Sequence, residues 1–186
     1  MHTIEFLVIS LQQRMPTCLS LLGLLAATIP AHVSDAGAID AKELAFYHTH
    51  TNERLDIVYF ENGEYIESAL EKINIYLADF RTGDVIPIDT QLLDLIYEIR
   101  ETLGSNGTYE VISAYRSPKT NEILRASGAG VARNSQHLLG RAIDVRLDDI
   151  PIEALRDAAL AMQRGGVGFY KQSNFVHIDT GRVRRW

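Results

Sequence analysis

His137 and Asp144 stand seven positions apart across Gly140 in NSQHLLGRAIDVRL, Asn134 to Leu147, and His177 follows in NFVHIDTG. Two imidazoles and one carboxylate make three ligands for Zn²⁺ and leave a fourth position for water, the layout of a hydrolytic metal site. Water bound to such an ion is acidified to about pKa 7 and becomes a nucleophile at neutral pH. The spacing also fits a plainer alternative, histidines held near a strand by hydrogen bonds. Gly140 suits a tight reversal beside either, because glycine accepts positive φ and close backbone approach.

The three residues act together only if the chain brings them to one face. Ala142 to Leu147 and Asn174 to Thr180 alternate as strands; paired as neighbours, they put Asp144 and His177 on the same side, since side chains alternate with period two. His137 then folds over from the preceding loop. Asp179, two residues after His177, shares its strand face. YEVISAY, Tyr109 to Tyr115, reads as a strand, and SPKTNEILRA as a helix capped by Ser117 with Pro118 in its first turn. Arg116 therefore sits at a strand-to-helix corner.

Around these lie simpler elements. Leu44 to Phe60 has the pattern of a β-hairpin about the turn TNER, with His48 and His50 as exposed hairpin residues. Apolar spacing predicts helices over Ile66–Arg81, from an Asp89 or Thr90 cap to Gly104, and over Ile152–Arg164. GGVGFY and NFVHIDTG read as two short strands around a KQS turn. The expected class is α+β: helices packed on one face of a small, mainly antiparallel sheet, with an N-terminal hairpin. Arg182, Arg184, Arg185 and Trp186 form a basic, aromatic patch that either holds carboxylates locally or is a solvated tail.

At 186 residues and 46% hydrophobic content, the chain has room for one core. Its net charge of -6 excludes a general nucleic-acid binder, which needs a basic surface to neutralise phosphates. Residues 1–38 read as an export signal or anchor: PTCLSLLGLLAATIPA follows Arg14 and precedes small residues, and is shorter than the roughly 20 residues of a membrane span, which favours removal over anchoring. The domain is then 39–186, exported, with no stable membrane span in the mature form. One arginine before the apolar run leaves the Tat and Sec routes open, and a start at Met15 is an alternative. Cys18 is the only cysteine and lies in the leader, so histidines and carboxylates must hold any metal of the domain. No residue pattern speaks to oligomeric state.

SQHLLGRAID, Ser135 to Asp144, resembles the SxHxxGxAxD pattern of the LAS superfamily of zinc peptidases, which includes D-Ala-D-Ala carboxypeptidases and peptidoglycan endopeptidases. With ISAYRSPKTNEILR and the final GGVGFYKQSNFVHIDTGRVRRW, the chain from about Tyr47 to Trp186 looks like the YcbK/MepK-type branch of periplasmic murein endopeptidases. The resemblance implies one Zn²⁺ per chain on His137, Asp144 and His177, and an arginine, here Arg116, that meets substrate carboxylate or carbonyl groups. It implies hydrolysis of peptidoglycan peptide cross-links, including L,D cross-links through meso-diaminopimelate, during wall growth. Tyr115 and Tyr170 are candidates for substrate contacts at the oxyanion. Relatives place a proton-handling residue two or three positions before the last histidine, where this chain has Phe175 and Asn174. Asp179 is the nearest acid, either as general base or as a residue that orients a ligand. The alternatives are a D-Ala-D-Ala carboxypeptidase on the same metal and a non-catalytic, zinc-containing wall-binding module.

Overall fold

Between Ala142 and Leu147 the residues Ile143, Val145 and Leu147 enter the hydrophobic core, while Asp144 and Arg146 alternate with them on the other face. Val176 and Ile178 repeat the arrangement around His177. One face of the sheet therefore packs against helices, and the other carries polar side chains. The computed structural model describes residues 40–128 and 131–186, which fall within one compact unit. The expected leader and Cys18 lie outside the described residues.

The strands are β1 (Ala41–His48), β2 (Arg54–Glu61), β3 (Glu64–Tyr65), β4 (Tyr109–Ser113), β5 (Ala142–Leu147), β6 (Gly166–Tyr170), β7 (Phe175–Asp179) and β8 (Arg184–Arg185). They form a single sheet in the order β3-β2-β1-β4-β5-β7-β6-β8. The fold is α+β, but the sheet has eight strands and is mixed rather than small and mainly antiparallel. β1 runs parallel to β4, and β6 runs parallel to β8. β1 and β2 pair antiparallel across the turn between them.

The helices are α1 (Glu67–Tyr76), α2 (Thr90–Thr102), α3 (Pro118–Ala126) and α4 (Ile152–Met162). α2 begins where Asp89 accepts a hydrogen bond from Gln91 N at 3.0 Å, and buries Leu92, Leu93, Ile96 and Ile99. Side chains of α1, α2 and α4 join the sheet's apolar face in one core. Leu155 of α4 is fully buried there, so truncating it to alanine costs about 2–5 kcal/mol. α3 buries only the polar Thr120 and Asn121 and belongs to the site side of the fold.

α1 stops at Tyr76 rather than Arg81. Leu77 continues its apolar stripe into the core, but Thr82 N and Gly83 N both donate to Asp79 O and turn the chain. His48 is not the exposed hairpin residue its surroundings predict. It is 2% exposed, and its Nδ1 accepts from His50 N at 3.2 Å and Thr51 N at 3.4 Å, closing the hairpin turn. Burial, helped by the neighbouring His50, pushes its pKa down.

Candidate metal centre

Each part of SQHLLGRAID has a local task. Ser135 Oγ accepts from His137 N at 3.3 Å and caps a short 3₁₀ turn over Gln136–Leu139. Gly140 ends that turn at φ +65°, and a Cβ there would lie 2.6 Å from Pro87 O. The turn is fastened to the strand-to-helix corner, where Arg116 N donates to His137 O at 3.2 Å. Asp144 then lies on β5 directly opposite His177 on β7.

The side chains converge as those elements dictate. His137 Nε2, Asp144 Oδ1 and His177 Nδ1 are 2.8 to 3.3 Å from one another. Donors about 2.0–2.1 Å from a tetrahedral ion stand roughly 3.3 Å apart, so the set fits a zinc-sized cation. The outer nitrogens are engaged elsewhere. His137 Nδ1–H donates to Ala114 O at 2.6 Å, and His177 Nε2–H donates to Asp179 Oδ2 at 2.8 Å. Those bonds fix both tautomers and leave two bare nitrogen lone pairs facing a carboxylate oxygen, an arrangement that calls for a cation.

Burial is nearly complete, at 2%, 4% and 6% exposure for His137, Asp144 and His177. Burial pushes the His137 pKa down, outweighing the attraction of Asp144. It would raise the Asp144 carboxyl, but His137 and His177 hold that group far below the usual carboxylate range. Burial likewise opposes the charged form of His177, yet hydrogen bonds to Asp144 and Asp179 raise its pKa.

The remaining site residues predicted from sequence separate into those the cleft contains and those it does not. A cleft of about 460 Å³ is lined by the three metal-binding candidates, Arg116, Tyr170, Arg184 and Trp186 among others. Arg116 Nε donates to Ser113 Oγ at 2.9 Å, and its Nη2 pairs with Asp144 Oδ2. Tyr170 stacks on Phe175 with ring centres 4.6 Å apart, and its hydroxyl accepts from Trp186 Nε1 at 2.9 Å. Tyr115 packs in the core, outside the residues that line the cleft.

Asp179 is fully buried behind His177. Its carboxylate accepts from Arg184 at 2.6 and 3.0 Å, from Gly166 N at 3.1 Å and from Gly181 N at 2.8 Å, besides His177. Burial would raise its pKa, but His177, Arg184 and Gly181 N hold it well below the usual carboxylate range. Asn174 and Phe175 carry no base. Asn174 sits at φ +54° in the turn before β7, a conformation asparagine tolerates, and Phe175 is stacked on Tyr170.

Sequence reasoning missed the seat of Trp186. Its backbone pairs with Val167 and Phe169, and its ring lies 5.1 Å from that of His177. A Cβ on Gly168 would come within 2.6 Å of the indole, and one on Gly166 within 2.2 Å of the Arg184 guanidinium. The glycines of GGVG are the sequence signal: bare backbone in β6 admits the side chains of Arg184 in β8 and of Trp186 just after it.

The geometry and the motif agree with sequence comparison. The family model described as peptidoglycan L,D-endopeptidase MepK matches residues 36–186. The chain belongs to that family. The peptidoglycan L,D-endopeptidase MepK of Escherichia coli strain K12 is 41% identical over 143 residues, covering 77% of this chain and 79% of the relative. The Shigella flexneri protein of the same description matches with the same identity and coverage. A probable peptidoglycan L,D-endopeptidase MepK of Haemophilus influenzae is 39% identical over 144 residues, 77% of each chain. The family is one of peptidases, and this chain is a peptidase by that membership.

Proposed function

We propose that this protein is a zinc-dependent murein endopeptidase of the periplasm. It hydrolyses peptide cross-links of peptidoglycan, including L,D cross-links through meso-diaminopimelate, and so opens the wall for growth. The observation that carries the reading is the convergence of His137 Nε2, Asp144 Oδ1 and His177 Nδ1 in a cleft of a chain from this family. Family relatives named as L,D-endopeptidases support the bond class.

His137, Asp144 and His177 would hold one Zn²⁺ per chain, which when bound supplies a Lewis acid for the scissile carbonyl and lowers the pKa of water. The protein's own groups prepare the rest. Ala114 O and Asp179 fix the two imidazoles so that the correct nitrogens face inward. Arg116 spends two of its five N–H donors on Ser113 and Asp144; the others are free for a substrate carboxylate or carbonyl and stabilise developing negative charge. Trp186 Nε1 occupies a lone pair of the Tyr170 oxygen, which leaves the Tyr170 O–H to donate into the cleft.

Asp179 acts through His177 in this account. A carboxylate with five hydrogen bonds and no exposure has no route to a water in the cleft. Asp144 is the one carboxylate lining the cleft among the described residues. That shortage of a dedicated base favours one second reading, a zinc-containing module that binds the wall without cutting it. Incubating purified protein with sacculi and Zn²⁺ separates the two. The endopeptidase releases un-cross-linked peptides, whereas the module sediments with sacculi and releases nothing.

A further inference from the structure

Three arginines line the cleft, and two are paired: Arg116 with Asp144 and Arg184 with Asp179. Arg81 is exposed and has no ion-pair partner among the described residues. Its guanidinium lies 4.1 Å from the centre of the Phe80 ring, and Phe80 stacks on His50 at 4.3 Å with planes 14° apart. A guanidinium stacked by its face keeps its in-plane N–H fork free, and that fork matches a carboxylate.

The segment carrying Arg81 is also held in register with the corner that carries Arg116. Asp79 is buried, with Oδ1 accepting from Arg81 N at 3.0 Å and Oδ2 from Ser117 N at 2.8 Å. One carboxylate thus fastens both arginine-bearing segments by their backbones. His50 belongs to the turn after β1, while Trp186 follows β8, so the cleft crosses the sheet. With strands ~4.8 Å apart, its flanks are separated by on the order of 20 Å, enough for several residues of an extended peptide.

We propose that Arg81, held over the Phe80 ring that itself stacks on His50, is a carboxylate subsite that takes a free carboxylate of a murein stem peptide at a distance from the bond being cut. The assignment rests on the peptidoglycan reading of the cleft. Unlike Arg116, Arg81 has no internal acid to satisfy, and it sits at the β1 flank rather than beside the metal-binding residues.

The test measures binding of an un-cross-linked stem tetrapeptide to the zinc-loaded full-length protein, with the peptide in its free-acid form and in its amidated form. Arg81→Gln binds the acid form about tenfold more weakly than wild type, the scale of a lost charge-assisted hydrogen-bond pair, and the amidated form within about twofold. Arg81→Lys regains part of the difference. Equal weakening of both forms, or no weakening of either, overturns the subsite. Cleavage of cross-linked dimers by the same wild-type preparation reports the enzyme reading separately. Intact dimers alongside charge-dependent binding would remove the endopeptidase and keep the subsite.

Discussion

Asp179 Oδ2 lies 2.8 Å from His177 Nε2, while Asp144 Oδ1 lies 2.8 Å from Nδ1 of the same ring. The imidazole is clamped between two buried carboxylates, one on the metal side and one behind it. That relationship separates a residue that orients a ligand from one that handles the proton. Asp179→Ala is predicted to weaken zinc binding by about 10–100-fold, the usual cost of losing such support, with much of the activity returning at saturating zinc. Competition with a chromophoric chelator, run beside peptide cleavage, checks both parts. Unchanged zinc affinity with abolished activity would make Asp179 the base.

Arg184 neutralises Asp179 from the other side, with bonds of 2.6 and 3.0 Å. Removing it leaves a fully buried carboxylate whose one remaining side-chain partner among the described residues is the His177 imidazole. Arg184→Met is predicted to destabilise the fold by about 2 kcal/mol, less than for a wholly buried pair because the arginine is itself partly exposed. Urea unfolding of the metal-free protein measures this.

Trp186 is the only tryptophan in the chain, so its fluorescence reports on one place. With its ring 5.1 Å from His177, its emission is predicted to change as zinc is titrated in. Gly168→Val, which puts side-chain atoms where the indole lies, is predicted to shift the emission to the red and increase acrylamide quenching. An indole seat insensitive to both changes would count against the described packing of the final strand.

Asp79 supplies a pH dependence away from the metal. Burial would raise its pKa, but the neighbouring Thr120 hydroxyl and hydrogen bonds from Ser117 and Arg81 bring it down to about 2, from 3.8. A depressed carboxylate contributes stability above its unfolded pKa, and that contribution is lost as pH falls from about 4 to about 2. The shift corresponds to about 2 kcal/mol at neutral pH. The stability gap between wild type and Asp79→Asn is therefore predicted to narrow by that amount between pH 6 and pH 2, in urea titrations at each pH.

The sequence carried the chemistry further than the topology. Alternation in β5 and β7 was enough to bring Asp144 and His177 to one face, and their direct pairing follows. Ser117 and Pro118 marked the start of α3, and Gly140 the reversal after His137, because caps and positive φ depend on local residue type. The parallel pairing of β1 with β4 joins segments some sixty residues apart, and no local pattern announces it. β8 is two residues long and leaves no alternation to read. Tyr115, a candidate for the oxyanion, packs in the core with Tyr109 and Val111, outside the residues that line the cleft. The register shifts between Val111 and Ser113, which sets Ser113 opposite Asp144, and no local pattern announces that irregularity. His48 read as a surface residue, and its turn-closing role depends on backbone donors that composition does not show.

The central claim is metal-dependent cleavage of murein cross-links by the site of His137, Asp144 and His177. Mass spectrometry of products from defined cross-linked muropeptide dimers, with zinc and with a chelator, tests it most directly. Dimers are expected to be converted to monomers with zinc; the chelator stops this, and His137→Ala and His177→Ala do the same. Release of free D-alanine from intact dimers, or cleavage that continues in chelator, would contradict it.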